Sequence, residues 1–282
     1  MGIAISEGDI TSVNQSAADF LSEWRSSPSH RQITIHDLLS MSSGLQGGRA
    51  NFVRGVLSRN ERRFATSLPV EHSPGAHWEY HNSGYKLLHS ILVESTGESL
   101  QQYTREKLFD RIGMRRTEWA TKRFNRQQTT FLRTTPRDAA RYGLLVLAKG
   151  RWDGEQVIKA DWLARATGAA NPKLNPSYGY LWWVNGGEWF WFPLVDQRQS
   201  RSIFPGCPED AFAALGKDDQ KIYIVPSLEL VVTRFGDSAN ATSPALSQFD
   251  DDFLGAVCRS FRKTRSGEKA TTRRARIEPV DP

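Results

Sequence analysis

After Pro176 the apolar residues change their spacing, and that change constrains the fold of this 282-residue chain more than any other feature. Upstream they recur at three and four residues, the period of a helix packed by one face. Downstream they tend to alternate, the period of a half-buried strand. Tyr178 to Val184 and Trp189 to Phe192 flank Asn185-Gly186-Gly187, which is a hairpin signal. Ala211 to Leu215, Lys221 to Val225 and Glu229 to Phe235 read as three further strands, with Pro226-Ser227-Leu228 turning the last two antiparallel. A closing helix from about Ser243 to Arg262 is expected to bury Leu246, Phe249, Phe253, Leu254 and Val257. Helices followed by antiparallel strands predict an α+β fold, an antiparallel β-sheet flanked by helices, rather than alternating βα units.

Cap chemistry marks the helices. Thr34 and Asp37 make a capping box for a short helix from Ile35 to about Met41. Between Gly44 and Pro74 the chain reads as loop with one helix, from about Asn51 to Leu57. From Ser83 onward Tyr85, Leu88, Ile91, Leu92 and Ser95 share a helical face that Gly97 can end. Ser99 and Gln102 open another helix. Thr135, Pro136 and Asp138 open a third, which runs through Tyr142, Leu145 and Val146 to Gly150. Met1 to Ile5 resembles the last turn of a helix, and the first strands of the expected sheet are not visible.

Hydrophobic residues at 39% and charged residues at 24% are ordinary globular usage, and no run is long and apolar enough for a membrane helix. The formal charge of +6 is concentrated at one end: Arg259 to Pro282 holds eight Lys/Arg against three acids, leaving the rest near +1. One domain over residues 1–263 and a basic, disordered tail over 264–282 are expected, with no internal repeat and no linker inside the domain. A solvated tail outweighs a polyanion-binding arm, so nucleic acid is not an expected partner. Cys207 and Cys258 make no disulfide framework and read as two buried or idle thiols. The N-terminus has no signal-peptide pattern, since Glu7 and Asp9 follow only a few apolar residues.

The segment richest in chemistry is Pro74-Gly75-Ala76-His77-Trp78-Glu79-Tyr80-His81-Asn82-Ser83-Gly84-Tyr85. A tyrosine and an asparagine at i and i+2, just before a helix, can face one cavity. The bland alternative is a half-buried tyrosine and a turn asparagine. Here the chain resembles the serine β-lactamases, penicillin-binding proteins and related esterases and amide hydrolases, whose second motif is Y-x-N in a P-G-x-x-W-x-Y-x-N context. Ile33 to Leu45 resembles the same family's helix ending in S-G-L, Thr135 to Gly143 its T-P-x-D-x-A-x-x-G segment, and Gly150 to Trp162 also matches. These stretches occur in family order.

The resemblance implies acyl transfer: a serine attacks a carbonyl, a lysine and a tyrosine manage its proton, and water resolves the acyl-enzyme. It makes Tyr80 the proton relay, its phenol acidified by an adjacent ammonium, and Asn82 the group that orients substrate or lysine. The family's third motif, a Lys or His followed by x-Gly, falls on Leu215-Gly216-Lys217-Asp218-Asp219. Lys217 fits, against the alternative of a turn charge. Asp219 departs from the pattern, because an acid there fills space and offsets the lysine.

The first motif, S-x-x-K, belongs on a helix ending in a stretch like Gly2 to Ile10, so the resemblance puts the nucleophile upstream of Met1 and predicts an inactive chain as it stands. The S-x-x-K matches present, at Ser83/Lys86, Ser260/Lys263 and Ser266/Lys269, are chance-level patterns, and Ser42 and Ser43 suit capping or packing. His72, His77, His81 and His89 lack the acidic companion of a zinc motif, so neither metal nor cofactor is expected. The aromatic run Tyr178, Tyr180, Trp182, Trp183, Trp189, Phe190, Trp191 and Phe192 reads as core or as an acyl pocket. The expected function is a serine hydrolase for a small ester, amide or peptide-like substrate. A non-catalytic pseudoenzyme that keeps the pocket is the rival, discriminated by whether S-x-x-K precedes this chain in frame. A polyanion-binding module would show affinity that collapses with salt.

Overall fold

The computed structural model describes residues 1–124, 127–193, 197–239 and 246–267, giving only backbone for the described residues within 122–129 and 262–267. In chain order the elements are α1 (Gly2–Glu7), α2 (Ile35–Leu39), α3 (Gly48–Leu57), α4 (Glu61–Thr66), α5 (Asn82–Thr96) and α6 (Leu100–Thr104). Then come β1 (Glu118–Phe124), β2 (Gln127–Arg133), α7 (Pro136–Leu147), β3 (Arg151–Trp152), β4 (Glu155–Gln156) and α8 (Ala160–Ala166). The C-terminal part holds β5 (Trp183–Val184), β6 (Phe190–Trp191), β7 (Arg198–Gln199), β8 (Phe212–Leu215), β9 (Lys221–Val225), β10 (Leu230–Arg234) and α9 (Gln248–Gly267). The fold is α+β, as the change of period predicts.

The caps sit where the sequence puts them. Thr34 Oγ1 accepts the Asp37 N–H at 3.2 Å and Asp37 Oδ2 accepts the Thr34 N–H at 2.9 Å, closing the box on α2. Gly97, at φ 70°, ends α5 in the left-handed conformation. Helix α7 opens on Thr135 and Pro136. Asp138 does more than flavour its first turn: it is buried, and it accepts the Arg116 N–H (2.8 Å), the Thr117 hydroxyl (3.0 Å) and an Arg141 N–H (2.9 Å). The loop before Pro74 contains a second helix, α4, capped by Asn60.

The main sheet has the order β10-β9-β8-β5, antiparallel throughout. Helix α7 lies on β9 and β10, with Gly143 so close to the sheet that a Cβ there would stand 2.5 Å from Val231 Cγ1. One core joins the helices to this face through Ile33, Leu38, Leu87, Ile91, Leu145 and Ile224. A second gathers Trp78, Tyr178, Trp183, Phe204, Tyr223 and Leu254 on the other side.

Two expectations need correction. The hairpin at Asn185-Gly186-Gly187 does not form: β5 pairs with β8 (Trp183 with Ala213), and β6 pairs instead with β7 (Phe190 with Gln199). Asn185 is buried, donating to Phe204 O (3.0 Å) and Pro208 O (2.9 Å) and accepting the Phe204 N–H (2.6 Å). Those distant backbone groups outcompete a local turn. The second correction is Cys207 and Cys258, which are not idle thiols but a disulfide across 51 residues, joining the segment before β8 to α9. Helix α9 starts at Gln248 and continues to Gly267. The start expected near Ser243 and the basic segment beyond 267 lie outside the described residues.

Candidate active site

The Tyr80 loop is laid over the turn that ends the S-G-L segment. Gly44, at φ 71°, accepts the N–H groups of Glu71 (2.8 Å) and His72 (3.2 Å), and a Cβ on it would collide with His72 O. Gly75 donates to Ser42 O (2.8 Å) and Glu79 to Met41 O (3.0 Å). Ser42 and Ser43, expected to cap or pack, are both buried, and the Ser42 hydroxyl is bonded to that of Ser40 (2.8 Å).

His81 then caps α5. Its Nδ1 accepts the Gly84 N–H (2.8 Å), leaving Nε2 to donate to Gln46 O (3.0 Å). This buried cap brings Tyr80 and Asn82 to the start of the helix. Both line a crevice of about 20 Å³, room for one water, together with Asn51, Phe52 and Ser83. Tyr80 alone of the two also lines an open cavity of about 470 Å³, whose walls include Arg49, Glu71, His77, Glu79, Trp191 and Phe192. The aromatic run divides accordingly. Tyr178, Trp182, Trp183 and Phe190 are buried core, while Trp191 and Phe192 face the cavity.

The Tyr80 ring stacks on Trp183 (6.0 Å, 13°) and meets Tyr178 edge-on (6.2 Å). Burial, with the neighbouring Tyr85 adding to it, pushes its phenol well above the usual range. No lysine is among the residues lining either space.

Lys217 stands apart from both spaces. It sits in the turn between β8 and β9 with its side chain 89% exposed, 3.7 Å from Asp218. The buried cation is Lys221, four residues on, which sequence reasoning treats only as a strand residue. Its Nζ lies 3.2 Å from Asp219 Oδ1 and 3.0 Å from Asp250 Oδ1, with all three side chains fully buried. The Tyr223 hydroxyl donates to Asp250 Oδ1 at 2.6 Å. So Asp219 offsets Lys221, not Lys217. The signal available was alternation: Lys221 shares a strand face with Tyr223 and Val225, which lie in the second core, while Ile224 on the opposite face lies in the first.

A third space, about 230 Å³, is lined by Ser83, Lys86 and His89 along α5. Lys86 is paired with Glu61, so it is not placed as a free base for Ser83. Burial and then the Lys86 charge lower the His89 imidazole from 6.5 to about 4. Unfolded chains take up that proton from about 6.5 downward and the folded protein only near 4, so this contribution to stability is complete above 6.5 and lost as pH falls towards 4. We expect His89→Gln to flatten the acid limb of urea midpoints measured from neutral pH down to about 4. An unchanged limb would refute the assignment. His72 and His77 lie ring against ring at 4.3 Å, and among the described residues no three His, Cys, Asp or Glu come together as metal ligands.

The β-lactamase family model matches residues 7–235. The chain belongs to the β-lactamase family. An uncharacterized protein of Alkalihalophilus pseudofirmus is 23% identical over 232 residues, 74% of this chain and 61% of that protein. The chain therefore spans about three fifths of that relative's length. A provisionally assigned 6-aminohexanoate-dimer hydrolase from Bacillus anthracis has a similar fold, with a TM-score of 0.70 at 20% identity over 93% of this chain and 69% of that one. So has simvastatin synthase LovD from Aspergillus terreus, with a TM-score of 0.63 at 15% identity over 92% and 80%. The chain thus shares the β-lactamase/transpeptidase-like fold with these proteins. No helix among the described residues is long and apolar enough to cross a membrane.

Proposed function

We propose that this chain is part of a serine hydrolase that cleaves a small ester, amide or peptide-like bond through an acyl-enzyme. The observation that carries the reading is the shared crevice of Tyr80 and Asn82, which has Gly47, Gly48, Glu79 and Tyr80 in common with the larger cavity. In it Tyr80 passes the proton between nucleophile and leaving group, and Asn82 orients the carbonyl or the base. The large cavity takes the acyl portion against Trp191 and Phe192. The nucleophile comes from an S-x-x-K segment outside residues 1–282. Its lysine supplies the ammonium that brings the Tyr80 phenol down into a working range. Lys217, exposed in the turn between β8 and β9 and apart from both spaces, takes no part in this reading.

A non-catalytic reading has one observation in its favour, the upward push on Tyr80 by burial. A fluorophosphonate probe separates the two. Residues 1–282 should stay unlabelled, and the protein extended upstream in its own reading frame should label at the S-x-x-K serine and lose that labelling in Tyr80→Phe. Labelling at Ser83 in the present chain, or an extended protein that stays unlabelled, overturns the proposal.

A further inference from the structure

Helix α3 is built inside out. Its inward side carries the buried Asn51 and Gly55, where a Cβ would stand 2.7 Å from Ser83 Oγ and 3.0 Å from the Phe64 ring. Helical spacing sends Arg49, Val53, Val56 and Leu57 to the opposite side. The three apolar side chains there are 47%, 54% and 67% exposed. A surface helix ordinarily turns such a stripe to the core, and contiguous exposed apolar residues mark an interaction surface.

Charge identifies what covers the stripe. Gly47 to Thr66 holds five arginines and one acid, a net +4. Arg62 is engaged by Glu23 and Glu94, and Glu61 by Lys86. Arg49, at the start of α3, and Arg59 and Arg63, which follow its end, remain exposed. Apolar side chains flanked in the chain by exposed arginines complement hydrocarbon beneath a layer of phosphates. A convex helix about 15 Å long offers much less area than a stable protein interface needs. A lipid surface has no such minimum, since each inserted side chain and each arginine adds its own increment.

We propose that α3 docks on an anionic lipid surface, with Val53, Val56 and Leu57 entering the boundary between headgroups and acyl chains and Arg49, Arg59 and Arg63 pairing with phosphates. Gly47 and Gly48, at the N-terminal end of α3, also line the Tyr80 cavity, where the Glu79 carboxylate accepts the Gly48 N–H at 2.5 Å. Docking therefore sets the mouth of that cavity beside the bilayer. The proposal holds whether or not the cavity is catalytic.

The test is sedimentation of the full chain with vesicles of phosphatidylcholine alone or with about one third phosphatidylglycerol. Binding is expected only to the anionic vesicles and should weaken with added salt. Val53→Gln/Val56→Gln/Leu57→Gln and Arg49→Gln/Arg59→Gln/Arg63→Gln should each reduce it at least about tenfold with unchanged circular dichroism and melting. Arg273→Gln/Arg274→Gln/Arg276→Gln should leave most of it intact. Three results overturn the proposal. They are no binding to anionic vesicles, binding that survives both α3 variants, and a dimer in solution that the apolar variant dissolves while vesicles go unbound.

Discussion

Lys221→Met should destabilise the protein by about 3–5 kcal/mol, the cost of stripping one partner from a buried ionic cluster. Lys221, Asp219 and Asp250 have no exposed side-chain surface, so water cannot take over from the lost ammonium. The donors that stay include the Tyr223 hydroxyl, the Ser247 N–H (2.8 Å), the Ala239 N–H (2.9 Å) and the Ser238 hydroxyl (3.3 Å). None of these carries the charge that Lys221 supplies between the two carboxylates. Burial and the adjacent Asp250 hold the Tyr223 proton in place, so the phenol stays a donor and adds no third negative charge. Removing all three charges with Lys221→Met/Asp219→Asn/Asp250→Asn should recover most of the loss, because the desolvation cost disappears with the ions. Urea unfolding of the single and triple variants measures both quantities. A single variant within about 1 kcal/mol of the parent would show that the cluster does not hold the β8–β9 turn to α9.

Opening the Cys207–Cys258 bridge should cost about 4 kcal/mol, from the chain entropy returned to the unfolded state by releasing a loop of this length. For a chain of this size that lowers the melting temperature by roughly 8–16 °C. The bridge acts where two segments pack closely. Around it α9 approaches the 204–208 segment at Gly206 and Gly255, and a Cβ on Gly206 would stand 2.7 Å from the Gly255 Cα. Cys258 is fully buried, so reductant should act only after local opening, and the shift should develop slowly at low temperature. Melting of Cys258→Ser, and of the parent after reduction in denaturant and refolding under reductant, should agree. A parent that melts at the same temperature after such treatment would rule the contribution out.

Much of the site's scaffold was legible from short stretches of chain. The Thr34/Asp37 box, the Gly97 stop and the Thr135-Pro136 start are made by groups within four residues of one another, so the residues that form them are neighbours before anything folds. The strands β8, β9 and β10 were legible for a similar reason, since alternation and a tight turn are local. The Y-x-N segment placed Tyr80 and Asn82 at the opening of α5.

The rest depended on partners far away in the chain. Asn185 exchanged a hairpin turn for backbone groups around residue 204, and β6 took β7 as its partner. Cys207 found Cys258 only because α9 folds back over the second core. The acidity of Tyr80 was set by burial against Trp183 and Tyr178. The charge near the third motif was set by Asp250, 29 residues beyond Lys221. Sequence alone determined the family, the capped helices and the strands β8 to β10, because caps, periods and motifs are read over a few residues; the β1–β2 pair and the helices α4 and α8 were not visible in it. Tertiary structure decided which strands pair, which cation is buried and how a phenol ionises, because those depend on the low-dielectric neighbourhood that distant segments build together.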